Sequence, residues 1–395
     1  MNDKIQKLYF KLCGTTVFHG VLRRDPLRSF LTYCETDENN GIAKRKAYAT
    51  LVSGIYENGG SLTEFMHKVV FEDENVYVKG CAKGQTANPH VEKAVKNELK
   101  TFSEFAALTP RDFASDMGVD VSEIPTFDSF NSYMGGLYEE RLRKIDKYGY
   151  GIFSSYGMFR LSDDKTIEPI VSADKIGMDD FVGYEEERGK VIANTQAFVE
   201  GRPAANTLLC GDAGAGKSST VKAVANAFFD QGIRLIELRK DQLFLLPYVM
   251  GKISGNPLKF IIFIDDLSFN KSDDNFSMLK AALEGSASAK AENSVIYATS
   301  NRRHIVKENF SDRDGDDVHR NDTMQELISL SERFGLTVLF TKPDKKLYLQ
   351  IVRSLAGKHG LKIPEAELDI RAEAFALRKG NRSARCAEQF IDSLL

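Results

Sequence analysis

The fold of this chain is decided by Gly211-Asp212-Ala213-Gly214-Ala215-Gly216-Lys217-Ser218, which fits the pattern G-x-x-x-x-G-K-[ST]. The apolar run Leu208-Leu209-Cys210 precedes this stretch, and a helical pattern over residues 221–228 follows it. A glycine-rich turn between a strand and a helix lets backbone N–H groups surround phosphate oxygens, and the helix N-terminus adds partial positive charge. We expect Lys217 to reach the β- and γ-phosphates and Ser218 to ligate Mg²⁺. The pattern therefore predicts a nucleoside triphosphate site.

A second apolar run ends in two carboxylates: Phe260-Ile261-Ile262-Phe263-Ile264-Asp265-Asp266. Such a run is typical of a strand buried on both faces of a parallel sheet, and its carboxyl end should lie beside the glycine-rich turn. This position makes Asp265 the Walker B residue that holds Mg²⁺. Asp266 is expected to orient and deprotonate the attacking water. The alternative is that Asp266 only caps the strand end, but adjacent carboxylates at a phosphate site favour the catalytic interpretation.

Three later features complete the pattern. A further buried strand, Ser294-Val295-Ile296-Tyr297-Ala298-Thr299-Ser300, ends at Asn301, whose amide could hold the attacking water or the γ-phosphate. An apolar helix ends in Glu332-Arg333-Phe334 and leads into a strand over residues 336–340. Near the end of the sequence, Ser383 is predicted to cap a helix with Arg385 in its first turn.

Together these motifs resemble the layout of AAA+ ATPases, and more narrowly the bacterial predicted ATPases grouped as the domain of unknown function 815 family. The resemblance covers roughly residues 157–395 and is carried by the phrases Asp180-Phe181-Val182-Gly183-Tyr184-Glu185, Asn194-Thr195-Gln196-Ala197-Phe198, Gly216-Lys217-Ser218-Ser219-Thr220-Val221-Lys222-Ala223, Asp265-Asp266-Leu267-Ser268-Phe269, Ala298-Thr299-Ser300-Asn301-Arg302-Arg303-His304 and Leu330-Ser331-Glu332-Arg333-Phe334-Gly335-Leu336. It implies an α/β fold: a P-loop module with a parallel five-stranded sheet flanked by helices, followed by a C-terminal helical lid.

The resemblance also implies roles for single residues. Val182 and Gly183 would line the adenine pocket, Asn301 would be sensor 1 and Arg385 sensor 2. Arg333 would be an arginine finger that acts on the ATP of a neighbouring subunit, so the family likeness implies a homo-oligomer with ATP and Mg²⁺ as cofactors. The phosphate-binding residues would be Gly211, Asp212, Ala213, Gly214, Ala215, Gly216, Lys217, Ser218 and Ser219.

Two of these arginines have competing interpretations. Arg333 could form a solvated pair with a local carboxylate such as Glu332 or Glu326, which is the commoner fate of an arginine near a helix end. Its position in the Glu-Arg-Phe box favours the finger. Arg382 competes with Arg385 for the sensor 2 role, and the Ser-x-Arg-x-Ala spacing favours Arg385.

The composition is that of an ordinary globular protein. With 395 residues, 53 Lys plus Arg and 56 Asp plus Glu, the chain has a formal net charge of −3 and no overall basic field that would attract nucleic acid. Its five cysteines are dispersed, which fits a reducing cytosol. Because no window approaches the roughly 18 apolar residues of a membrane span, we expect a cytoplasmic protein with no membrane partner.

We expect a mostly α-helical domain over residues 1–147, since apolar residues recur at helical spacing. The predicted helices are 42–56, 62–70, 88–105 and 133–147. The other predicted parts are a linker with a short hairpin over residues 148–174, the ATP-binding α/β domain over residues 175–342, and the lid over residues 343–395.

Basic side chains Arg141, Arg143, Lys144 and Lys147 precede a run rich in glycine and tyrosine. Interleaved cations and aromatic rings could stack single-stranded nucleic acid. An exposed helix face followed by a packed linker gives the same composition, and we favour that interpretation.

Two functional classes follow. The first is an oligomeric AAA+ ATPase that couples hydrolysis to remodelling of a protein or nucleic-acid partner. The second is an ATP-dependent switch or loader with slow hydrolysis, towards which the Asp-Asp Walker B pair tilts slightly. We favour the first because no basic recognition helix is visible. An acidic segment over residues 312–322 is predicted to be a solvated loop that could contact a neighbouring subunit.

Overall fold

The computed structural model describes residues 2–37, 40–172, 176–267, 292–301 and 332–395, together with Leu279 and Leu283. The acidic segment 312–322 lies outside this part of the chain. The described residues form two compact units, residues 1–155 and 156–395. None of the described helices is both long and apolar enough to cross a bilayer.

The first unit is helical, as the apolar spacing predicts. Its helices are α1 (Asp3–Cys13), α2 (Leu27–Glu35), α3 (Gly41–Glu57), α4 (Leu62–Phe71), α5 (Val76–Ala82), α6 (Pro89–Ala106), α7 (Pro110–Met117), α8 (Met134–Arg143) and α9 (Ile145–Tyr148). Local signals set their ends: the Asn40 and Ser61 side chains accept from the backbone N–H groups of Ala43 and Glu64 and so cap α3 and α4. All four predicted helices are confirmed, and the last one is divided between α8 and α9.

Aromatic side chains fill the core of the first unit, including the fully buried Phe18, Phe30, Tyr33, Tyr48, Phe102, Phe105 and Phe113. One ion pair lies in this core: Lys44 Nζ is 2.6 Å from Asp116 Oδ2, with both side chains almost fully buried. The Tyr33 hydroxyl donates to the same carboxylate at 2.6 Å. Burial alone would raise the pKa of Asp116, but the hydrogen bonds from Lys44 and Tyr33 hold the pKa below its ordinary value.

Most of the basic and tyrosine-rich region lies in this unit. The Arg141 guanidinium lies over the rings of Phe71 and Tyr148, 4.4 and 4.6 Å from their centroids. Burial lowers the pKa of Arg141. Arg143, Lys144 and Lys147 are exposed, as the favoured interpretation of an exposed helix face expects, whereas Arg141 is packed.

The second unit is built on a seven-stranded sheet. Its strands are β1 (Met158–Leu161), β2 (Ile167–Pro169), β3 (Thr207–Gly211), β4 (Ile233–Leu238), β5 (Lys259–Ile264), β6 (Ser294–Ser300) and β7 (Leu336–Phe340). They lie in the order β2-β1-β4-β5-β6-β3-β7, and all neighbouring pairs except β1–β2 are parallel.

The predicted count of five strands is wrong. The five parallel strands β4, β5, β6, β3 and β7 are present, and the predicted hairpin adds β1 and β2 to the same sheet. Met158 and Phe159 of β1 are buried and pair with Leu235 and Ile236 of β4, so β1 covers the edge that β4 would otherwise expose.

Helices flank this sheet and form a lid after it. They are α10 (Glu185–Val199), α11 (Lys217–Ala227), α12 (Leu246–Ile253), α13 (Lys345–Lys358), α14 (Glu365–Lys379) and α15 (Ala384–Asp392). The last three helices have their own core, in which Tyr348, Val352, Ala372 and Phe390 are buried. In the sheet, β3 lies between β6 and β7, whereas the next strand along the chain, β4, lies beyond β5. The strand order therefore reverses at β3, and the carboxyl ends of β3, β5 and β6 lie at this position. This is where α/β sheets bind ligands.

Candidate functional site

The glycine-rich loop joins β3 to α11. Gly211 ends β3 with φ at 136°, and a Cβ at this position would lie 1.9 Å from the carbonyl oxygen of Phe340 in β7. The same carbonyl accepts the N–H of Asp212 at 3.2 Å. Only glycine allows this close approach, so the start of the loop is fixed against the sheet before α11 begins at Lys217.

Lys217 is only 5% exposed and lies at the centre of the loop. Its Nζ donates to the carbonyl oxygens of Gly211 and Asp212 at 3.1 and 2.7 Å, and to Asn301 Oδ1 at 2.9 Å. Burial lowers the pKa of Lys217, and the charges of nearby acidic groups, Asp212 first, oppose this. The loop therefore holds the ammonium group of Lys217 beside the space where phosphates would lie.

A serine and a carboxylate from different elements meet beside Lys217. Ser218 Oγ, in the first turn of α11, donates to Asp265 Oδ1 at 2.6 Å. Thr299 Oγ1 of β6 donates to the same oxygen at 2.5 Å. The described residues contain no group of three or more His, Cys, Asp or Glu side chains that could hold a metal. Two hard oxygen ligands on the cavity wall fit Mg²⁺, which typically takes one or two protein oxygens and completes its shell with phosphates and water.

Asp266 and Asn301 are hydrogen-bonded. Asn301 Nδ2 donates to Asp266 Oδ1 at 2.6 Å, while the oxygen of the same amide accepts from Lys217. Asp266 has φ at 51°, in the left-handed region. Its N–H donates to Thr299 Oγ1 at 2.9 Å and to Asp265 Oδ1 at 3.1 Å. Lys217, Asn301 and Asp266 thus form a continuous chain across the carboxyl ends of three strands.

These groups surround a cavity of ≈ 330 Å³. The predicted site residues on its wall are Ala213, Gly214, Gly216, Lys217, Ser218, Ser219, Asp265, Asp266, Asn301 and Arg385. Arg385 reaches the cavity from α15 of the lid. Its competitor Arg382 instead makes two 3.0 Å hydrogen bonds to the carboxylate of Glu373 within the lid. The structure therefore brings Arg385, and not Arg382, to the cavity beside the glycine-rich loop.

Three residues on the cavity wall, Thr299, Ala384 and Glu388, were not predicted as site residues from the sequence. Glu388 lies one helical turn after Arg385 and is exposed overall, but desolvation raises the pKa of its carboxyl and Asp392 adds to this, while Arg385 opposes it. The spacing of three residues from Arg385 was the available signal. Thr299 precedes Asn301 by two residues, so strand alternation places both side chains on the same face.

The segment predicted to line an adenine pocket lies next to the lid. Val182 packs against the lid core. Gly183 has φ at 75°, its N–H donates to Glu185 Oε1 at 2.9 Å, and its carbonyl accepts from Arg188. Neither Val182 nor Gly183 is on the wall of the 330 Å³ cavity beside the glycine-rich loop.

Arg333 is helical and lies just before β7. It is not among the residues that line the cavity of its own chain. An arginine that acts on a neighbouring subunit would lie away from its own nucleotide site, so this position leaves the finger assignment a prediction.

The parallel strand order and the glycine-rich loop between β3 and α11 define a P-loop α/β fold. The chain belongs to the family described as "Protein of unknown function (DUF815)", which matches residues 154–395. No curated protein matches the chain.

Among solved structures, the RuvB Holliday junction branch migration motor of Thermotoga maritima is similar. It is 15% identical with a TM-score of 0.35, over 55% of this chain and 72% of that chain. One variant of that RuvB is 16% identical with a TM-score of 0.34, over 55% of this chain and 72% of that chain. A second variant is 14% identical with a TM-score of 0.35, over 55% of this chain and 73% of that chain. Likeness at this level assigns neither a substrate nor a partner to the present chain.

Proposed function

We propose that this protein binds ATP with Mg²⁺ and hydrolyses its γ-phosphate as an oligomeric AAA+ ATPase. One observation carries the proposal: Lys217, Ser218, Asp265, Asp266 and Asn301 converge on one cavity and are joined by hydrogen bonds of 2.6 to 2.9 Å. A cation, two carboxylates and an amide at a glycine-rich loop are the groups that in-line phosphoryl transfer to water uses.

Each group has a distinct task in this mechanism. Bound Mg²⁺ would be held by Ser218 and Asp265 and would neutralise charge on the β- and γ-phosphate oxygens. Lys217 would donate to the same phosphates. Asp266 would accept a proton from water as the water oxygen forms its bond to the γ-phosphorus, and Asn301 would hold the water in line. The bond to the β,γ-bridging oxygen breaks, its electron pair leaves with ADP, and inorganic phosphate is the second product.

The oligomer is part of the proposal. Arg333 would stabilise the transition state in a neighbouring subunit, as an arginine supplied in trans does in GTPases, where it is worth ~10³–10⁵ in rate. Arg385 would contact the phosphates from the lid and so couple the position of the lid to the nucleotide. Val182 and Gly183 would contact the adenine ring at the junction of the lid and the α/β part.

The hydrolysis cycle is proposed to remodel a macromolecular partner. The alternative is a switch or loader that acts on nucleic acid with slow turnover, and the Asp265-Asp266 pair favours it slightly. Stimulation of turnover by single-stranded DNA would support the loader, and stimulation by a protein substrate would support the remodeller.

The test is ATP turnover as a function of protein concentration, with wild type, Asp266→Asn and Arg333→Ala compared side by side. We expect specific activity to rise with concentration and to collapse in both variants. Asp266→Asn keeps the side-chain volume and Arg333→Ala leaves the phosphate loop intact, so both should still bind MgATP. Lys217→Ala should lose tight binding.

The outcomes separate the parts of the proposal. Tight ATP binding by Lys217→Ala would contradict the phosphate-loop assignment. Normal turnover by assembled Arg333→Ala would show that the finger assignment is wrong. Flat, slow turnover that ignores Arg333 would support the switch instead of the motor.

A further inference from the structure

We propose that Thr299 is a positioning residue for hydrolysis, whose hydroxyl orients both Asp265 and Asp266. The proposal rests on the proposed ATPase function and deepens it. Thr299 lies on the cavity wall but is only 2% exposed. Oγ1 donates to Asp265 Oδ1 at 2.5 Å and accepts the N–H of Asp266 at 2.9 Å. One hydroxyl therefore satisfies both the Walker B carboxylate and the backbone of the next residue.

The backbone of Thr299 holds the same segment. Its carbonyl accepts the N–H of Leu267 at 2.7 Å. In the register between β5 and β6 the last pair is Ile264 with Ala298, so Thr299 lies one residue beyond that pair. It fixes three consecutive residues, Asp265 to Leu267, at the point where the chain leaves β5.

The orientation of Asp266 depends on this contact. With φ at 51°, Asp266 is one of three described residues other than glycine in the left-handed region, which few L-residues adopt. This conformation lets its N–H reach the threonine hydroxyl while its carboxylate accepts from Asn301 Nδ2 at 2.6 Å. Without the hydroxyl, the Asp266 N–H keeps only the longer hydrogen bond to Asp265 Oδ1 at 3.1 Å, and the carboxylate is freer to leave the position from which it would accept a proton.

A purely structural role predicts something different. A β-branched residue suits a buried strand, and valine would fill the same space as threonine. The two roles are separated by two substitutions. Thr299→Val keeps the branching and removes the hydroxyl, whereas Thr299→Ser keeps the hydroxyl and removes the methyl group.

The experiment measures kcat and KM for ATP hydrolysis, and the Kd for MgATP, for the full chain at a concentration where wild type is fully active. We expect Thr299→Val to lower kcat about 100-fold, the loss that a misplacement of ~1 Å can cause. Its Kd should stay within about threefold of wild type, because Lys217 and the phosphate loop are untouched. Thr299→Ser should keep kcat within about threefold of wild type.

Three results would overturn the proposal: wild-type kcat in Thr299→Val, a fall in Thr299→Ser as large as that in Thr299→Val, or a loss confined to Kd. Thermal unfolding checks that each variant folds. If Thr299→Val does not fold, Thr299→Ala takes its place against Thr299→Ser, with the same expected contrast in kcat. Wild type that neither binds nor hydrolyses MgATP would refute the proposed function itself, whereas an active wild type matched by Thr299→Val refutes only the role of Thr299.

Discussion

Replacement of Gly211 by alanine tests the geometry on which the whole site depends. A Cβ at Gly211 would lie 1.9 Å from Phe340 O, whereas real Cβ contacts essentially never fall under 3.0 Å, so the two strands would have to separate by about 1.1 Å. The obstacle is a backbone carbonyl in a paired strand, which cannot rotate away as a side chain can. β7 would have to leave its place beside β3.

The cost has two parts. Separation disrupts the pairing of Gly211 with Phe340 and the 3.2 Å hydrogen bond from Asp212 N to Phe340 O, at roughly 0.5–1.5 kcal/mol for each hydrogen bond lost. A φ of 136° adds about 1–3 kcal/mol for alanine. We therefore expect a loss of about 2–6 kcal/mol. For a unit of this size that corresponds to a fall in Tm of roughly 5–20 °C at 2–4 °C per kcal/mol.

The assay is thermal unfolding of the full chain together with ATP binding. The matched control is Gly189→Ala in α10, because Gly189 is exposed and a Cβ there meets nothing within 4 Å. Alanine in a helix interior is favoured over glycine by about 0.5–1 kcal/mol, so the control should be as stable as wild type or slightly more stable. ATP binding should be lost only in Gly211→Ala. If Gly211→Ala melts and binds like the control, the close approach of β3 and β7 described above is wrong.

Three further predictions concern other contacts. Glu388→Gln removes a carboxylate from the cavity and should tighten ATP binding roughly fivefold, because two like charges ~4 Å apart repel by ~1 kcal/mol in water. Unchanged or weaker binding in titration calorimetry would contradict this. Because the pKa of Asp116 is lowered in the fold, the stability that this carboxylate contributes is present above the unfolded pKa of ~3.9 and is lost as pH falls. Asp116→Asn leaves Lys44 buried without a counter-ion and should lower the free energy of unfolding by about 3–5 kcal/mol at pH 7. A Tm equal to that of wild type would count against the ion pair. Gly183 is in a left-handed conformation, and Gly183→Ala would place a Cβ 2.2 Å from Leu347 Cδ1, so this change should weaken ATP binding. Adding Leu347→Ala should restore part of the binding. No recovery in the double variant would show that the clash is not the cause.

The sequence predicted the elements whose signals are local. The apolar run 260–264 became β5, and the pattern 42–56 became α3, because burial on two faces or on one helical face is written in consecutive residues. The number of strands was not predictable in this way. The hairpin was recognised, but its pairing with β4 joins residues more than 70 positions apart and leaves no local pattern.

The candidate site shows the same division. The loop and the two aspartates follow from spacing, but the contribution of Thr299 depends on the register between β5 and β6, which a single sequence does not contain. For the two lid arginines, the Ser-x-Arg-x-Ala spacing favoured Arg385 in the sequence, but the contact that holds Arg382 could not be predicted there. This contact is the ion pair of Arg382, which lies between α14 and α15, with Glu373, nine residues earlier in α14.

The hydrogen bonds of the site separate nucleotide binding from hydrolysis. Lys217 is held mainly by two carbonyls of its own loop, so its position does not depend on β5. Asp266 is held by Thr299 and Asn301, both from the end of β6, so its position does not depend on the loop. Among the described residues, Asn301 is the amide that contacts both Lys217 and Asp266. A change at Thr299 should therefore affect the rate first, and a change at the loop should affect binding first. A change at Asn301 should affect both, because its amide joins the cation that would hold the phosphates to the carboxylate that would activate water.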